Sequence, residues 1–143
     1  MKLPAKVTVF ILLTMITTLY GQTSKQDPVK KIVNEIASTN RYDESFTIGI
    51  GGILSTQYQL FQQLAQKATS QQLVDLATHK NAVVRLYAFQ ALRGKEGSIP
   101  EKILNQFAND KTIVTFMRGC IMEQQSINIL AAHKLSSTTQ ISN

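Results

Sequence analysis

Residues 69–94 read TSQQLVDLATHKNAVVRLYAFQALRG, and the way this stretch folds decides how the rest of the chain must be arranged. Leu73, Leu76 and Ala77 give its first half one apolar side. Val84, Ala88, Ala91 and Leu92, at i, i+4, i+7 and i+8, give its second half a matching stripe. Thr69 with Gln72 makes a capping-box pattern, Asn81 suits the start of the second helix, and Gly94 suits its end. The pattern predicts two short helices folded back on each other. Neither stripe is buried by the hairpin alone, so neighbours on both sides are required.

Working outward, Asp27-Pro28 opens a helix with Val29, Ile32, Val33 and Ile36 at i, i+3, i+4 and i+7, ending near Ser38. Ser55 or Thr56 caps another that runs to about Lys67, with Tyr58, Phe61, Leu64 and Ala65 on one side. On the other flank, Ser98-Ile99-Pro100-Glu101 reads as a capping box before a helix that turns Ile103, Leu104 and Phe107 inward. Aligning Asp110 with Asn81 makes residues 111–118 a degenerate second copy of the repeat helix, although Thr112-Ile113-Val114-Thr115 favours extended structure locally. Gly119-Cys120 breaks that segment, and Ser126 caps a final helix whose Ile127, Leu130 and Ala131 cover the end of the stack.

The turn and second helix of the central stretch, with Val84-Arg85, Ala88 and Leu92 in spaced positions, resemble the HEAT-repeat pattern of armadillo-type α-hairpins. The run from Tyr58-Gln59-Leu60-Phe61 through His79-Lys80-Asn81 and Tyr87-Ala88-Phe89 to Gly119-Cys120 is also similar to a group of small exported bacterial HEAT-like proteins. Two departures are that the turn, His79-Lys80-Asn81-Ala82, lacks the aspartate and the proline usual in the family. The resemblance implies an all-α fold, a short stack of antiparallel α-hairpins over residues 27–135, and supplies no activity. It also implies a structural task for Arg85, pairing with an acid such as Asp75.

Met1 to Gly21 has the three parts of a secretory signal peptide. Lys2 and Lys6 make a basic start, Val7 to Leu19 is an uncharged apolar run, and a small residue closes it. Export, to the periplasm or as a secreted protein, is therefore expected, with residues 22–26 as a disordered leader and 136–143 as a flexible tail. Loss of the two signal lysines takes the basic count from 15 to 13 against 9 acids, so the formal net charge falls from +6 to +4. That mild excess, in an exported protein, argues against nucleic acid as a partner. Cys120 is the only cysteine, so no disulfide can form within the chain and no lipid-anchoring cysteine follows the signal. Stable membrane insertion is not expected once the signal is removed.

No active site is legible. His79 and His133 lack the spacing of metal ligands, and no motif surrounds Cys120 to activate it as a nucleophile. Asp43-Glu44 is a neighbouring pair on a loop, Ser55 lacks a GxSxG setting, and Gly49, Gly51 and Gly52 match no phosphate-binding loop. No cofactor is expected. The leading expectation is a non-enzymatic interaction module that meets another protein of the cell envelope or an incoming polypeptide; the alternative is an enzyme whose site is assembled from several helices. The longest loop, residues 39–52, is the expected partner surface, with Tyr42 and Phe46 as aromatic anchors and Arg41, Asp43 and Glu44 as a polar rim. The competing reading is that Phe46 and Ile48 tuck under the loop and the charges are simply solvated.

Overall fold

The computed structural model describes residues 27–136. The expected signal peptide and leader, and the tail beyond Ser136, lie outside the described residues.

Four of the described helices start where the sequence supplies a side-chain cap. Helix α1 (Pro28–Thr39) begins with the Asp27 carboxylate accepting the Val29 N–H, and buries Val29, Ile32, Val33 and Ile36. Helix α2 (Thr56–Lys67) is capped by Ser55 and buries Gln57, Leu60, Phe61 and Leu64. The central hairpin is present as α3 (Ser70–Leu76), with both bonds of the Thr69–Gln72 capping box, and α4 (Ala82–Glu96), capped by Asn81. Helix α4 runs one turn past the expected stop at Gly94: Gly97, at φ +68°, takes the left-handed position that closes it. Helix α5 (Glu101–Asn109) starts at Pro100 without a side-chain cap, so Ser98 does not play the part its position suggested. Helix α6 (Ile127–Ser136) buries Ile127, Leu130 and Ala131.

The all-α expectation fails at the remaining segments, which form five strands and make the fold mixed α/β. Strand β1 (Arg41–Asp43) pairs in parallel with β4 (Ile113–Arg118), which pairs antiparallel with β5 (Ile121–Ser126), giving the order β1-β4-β5. A separate antiparallel pair joins β2 (Thr47–Ile48) and β3 (Ile53–Leu54). Residues 111–118 are thus not a degenerate helix. Their β-branched run alternates, with Val114 and Phe116 buried while Ile113 is exposed, and a period of two cannot supply a helical stripe. Gly119, at φ +56°, sits first in the two-residue turn between β4 and β5, where a side chain would strain the backbone.

Helix α4 is the hub. It packs against α1, α2, α3 and α6 and against strands β1 and β4. Eight of its residues are buried, including Val83, Leu86, Tyr87 and Phe89, so apolar side chains point in several directions and not along one stripe. Phe89 stacks on Phe107 of α5 with ring centroids 4.4 Å apart, and Tyr87 stacks on Phe61 of α2 at 5.3 Å and lies 4.9 Å from Tyr42 of β1. Leu73 of α3 and Ala77, which follows it as the C-cap, are deeply buried, while Leu76 is only partly buried. Arg85 pairs with Asp110 at 2.8 Å and not with Asp75, which instead accepts from Gln71. Its guanidinium also donates to the His79 and Lys80 carbonyls and the Thr112 hydroxyl, tying the α3–α4 turn to the start of β4.

Candidate binding surface and the polar cluster behind it

The segment 39–54 carries the expected surface residues, and the fold separates them into two environments. Tyr42 and Asp43 are fully buried. The Tyr42 ring lies in the core between the sheet and α4, and its hydroxyl donates to Gln90 Oε1 at 2.7 Å. Burial pushes both the Tyr42 and the Tyr87 phenol well above the usual tyrosine range, so both keep their protons and serve as donors. Tyr87 closes a small ring with the strand: its hydroxyl accepts the Asp43 N–H at 2.8 Å and donates to the Asp43 carbonyl at 3.1 Å.

Asp43 is satisfied on every side. Arg41 Nε and Nη2 donate to its two oxygens at 2.6 and 2.9 Å, and the Ser55 hydroxyl donates to Oδ2 at 2.6 Å. The bidentate geometry is the strong form of the carboxylate–guanidinium pair. Ser55 also caps α2, so this one carboxylate fixes strand β1 to the start of the next helix. Glu44 sits at the border of the same cluster, bonded to Arg118 of β4 and to Lys134 of α6, the latter at 2.9 Å. Burial opposes its charge, yet the bonds from Arg118 and Lys134 outweigh that and hold its carboxyl below the usual range. Arg41 and Asp43 thus pair with each other, Tyr42 bonds Gln90 and Glu44 bonds Arg118 and Lys134, and only the outer parts of Arg41 and Glu44 reach solvent.

Phe46 parts company with them. Its ring is exposed, edge-on to Tyr58 at 6.3 Å, and it leads into the β2–β3 hairpin. Ile50, in the turn of that hairpin, is 96% exposed, and Ile53 and Leu54 are also exposed. The hairpin is nonetheless pinned at both ends. The Ser55 N–H donates to the Phe46 carbonyl at 2.9 Å, and the Gly49 N–H donates to the Gly119 carbonyl at 2.8 Å, which brings the β2–β3 turn against the β4–β5 turn. Ile121 and Met122, exposed at the start of β5, follow directly from that second turn. Ile50, Ile53 and Leu54 were missing from the sequence-based site. An isoleucine between glycines in a non-periodic stretch was the available signal.

The groups weighed for chemistry lie apart. Cys120 is exposed in the β4–β5 turn. His79 lines a groove of about 310 Å³ between α1 and α3 together with Asp75 and Leu76. Burial first, and then the neighbouring Lys80 charge, hold its imidazole below the usual range, and its Nδ1 accepts the Asn81 N–H at 3.1 Å. Among the described residues no three histidine, cysteine or carboxylate side chains come together to hold a metal ion. No described helix is long and apolar enough to cross a membrane. The chain matches no family model, and neither a curated protein nor a solved structure is significantly similar to it.

Proposed function

We propose that the protein is an exported interaction module, without catalytic activity of its own, that recognises another protein of the cell envelope or an incoming polypeptide. The recognition surface in this reading is the β2–β3 hairpin, with Phe46, Ile50, Ile53 and Leu54 as contacts and the Glu44–Arg118 pair as its rim. The observation that carries it is Ile50, 96% exposed at the tip of a hairpin pinned by two backbone bonds. Clustered exposed apolar side chains mark interaction sites, and a pinned backbone reduces the ordering that binding would otherwise require. The signal-like segment before Gly21 supports export, and the α3–α4 hairpin supports the likeness to HEAT-type repeats.

The experiment is affinity capture from an envelope extract with the processed protein, whose expected N-terminus by mass spectrometry is Gln22. Ile50→Asp combined with Ile53→Ser should leave the fold intact and lose the partner that the unmodified protein captures. A folded double variant that still captures every such protein would overturn the assignment of the surface, and an unprocessed Met1 would overturn export. Tyr42 is unsuitable for this purpose, because its substitution opens the core.

A further inference from the structure

The outer edge of β5 is the least guarded part of the described sheet. The opposite edge, β1, is three residues long; β5 is six, and its residues 121–124 are all exposed. Edge strands of soluble proteins are usually protected by proline, lysine, a bulge or a covering element. Strand β5, IMEQQS, has no proline, lysine or bulge in its register, and among the described residues no strand pairs with its outer edge.

We propose that β5 pairs antiparallel with β5 of a second copy of this chain about a two-fold axis at Gln124, extending each three-stranded sheet into one of six strands. The phase of the ladder fixes the register. Arg118 faces Ile121 across the two-residue turn, so that pair is hydrogen-bonded to β4, as are the residues at 123 and 125. Met122, Gln124 and Ser126 therefore turn their backbone N–H and C=O groups outward, the Ser126 N–H donating at 3.3 Å to the side-chain Oε1 of Gln125. A two-fold axis at Gln124 uses all three: Gln124 meets its own counterpart, and Met122 meets Ser126 of the other copy, whose N–H exchanges the Gln125 side chain for the Met122 carbonyl. Moving the axis to residue 123 would set Glu123 against a second Glu123, the only charge in the strand against itself.

Side chains agree with this register on both faces. On the buried side of the sheet, Glu123 falls opposite Gln125 of the other copy, a carboxylate beside an amide. On the other side, Met117 and Met122 come into line with Ser126 and the exposed Ile113 of the second copy, with the small serine leaving room for the two apolar groups to meet. Only an antiparallel copy brings the exposed apolar start of β5 to the exposed Ile113 at its far end. That complementarity selects a second copy over an unrelated extended peptide.

The dimer uses a different edge from the partner surface proposed above, so the two readings fail separately. Sedimentation equilibrium of the purified chain should show a concentration-dependent monomer–dimer equilibrium. Gln124→Lys sets two like charges together across the axis while leaving the β4–β5 ladder untouched, and should raise the dimer dissociation constant about tenfold, an effect that added salt reverses. Gln124→Pro removes an outward N–H at the centre and should give monomer; if it fails to fold by circular dichroism, the lysine variant decides. In a Cys120→Ser background, Gln124→Cys should form a disulfide-linked dimer on mild oxidation, and Ile50→Cys should not. A monomer at every concentration, or a dimer that Gln124→Lys leaves unchanged, overturns the proposal.

Discussion

The α3–α4 hairpin and the β1-β4-β5 sheet both bury apolar side chains against the same helix, but they are specified over very different distances along the chain. In the hairpin, caps, turn and apolar stripes all lie within residues 69–97, and each bond that closes it joins near neighbours. In the sheet, Tyr42 pairs with Phe116, and although the β-branched run before Phe116 favours an extended chain, nothing near Tyr42 in sequence supplies its partner. Local pattern is enough where partners are close in sequence. Where they are remote, tertiary packing overrides it.

That contrast can be strained at three points. The largest effect should come from the hub: Phe89→Ala removes a ring stacked at 4.4 Å on Phe107 and should cost ~3–5 kcal/mol, read from denaturant melts. A smaller loss would mean that α5 collapses onto α4 without its ring. Next is the polar joint of the sheet. Asp43→Ala leaves Arg41 and Ser55 without their acceptor, and since Arg41 keeps some access to water, ~2–3 kcal/mol is expected. Backbone amide exchange in β1 should rise while that of α4 in the folded state is unchanged. Equal acceleration in both would show that sheet and hairpin open as one unit.

The smallest effect concerns acid. The Glu44 and Asp110 carboxyls are both held below their ordinary values of 4.5 and 3.8, and the His79 imidazole below 6.5. For all three the unfolded chain binds the proton more readily, so stability falls as pH falls. The His79 share is lost as pH drops below about 6.5, and the carboxylate share from about 4.5 downward. Glu44→Gln should cost only ~1 kcal/mol at neutral pH, because Arg118 is half exposed, and should flatten the acid limb of a melting-temperature profile. An unaltered acid limb would assign it to Asp110 and its bond to Arg85.

How much was legible follows the same division. The helix starts at Asp27, Ser55, Thr69 and Asn81 were readable because a cap and its N–H lie within three residues. The buried sets of α1 and α6 were readable from spacing alone. Gly94 was misread as the end of α4 because Gly97 offers the same chemistry three residues later. Residues 111–118 carry their strand signal in a β-branched composition and the alternation of Val114 and Phe116, which an alignment with the first hairpin masks. For the surface, charge and aromaticity singled out Arg41 to Glu44, but Arg41 and Asp43 satisfy each other with Ser55, Tyr42 is met by Gln90, and Glu44 by Arg118 and Lys134. No linear pattern reveals that Asp43 is met by a serine at 55 and a tyrosine at 87.

The parallel ladder between β1 and β4 also sets an order in time. As the chain emerges from its N-terminus, Tyr42 and Asp43 come early, yet the strand that completes their hydrogen bonding is residues 113–118. Four helices must be made before it appears. A nascent chain therefore carries a large aromatic ring and a desolvation-sensitive carboxylate without their final neighbours while those four helices are made, and closure over so long a separation is slow compared with helix formation. Arg41 and Ser55, which lie close to Asp43 in sequence, can hold that carboxylate during the interval, so the same bonds that pin the finished sheet also shelter its first strand while it waits.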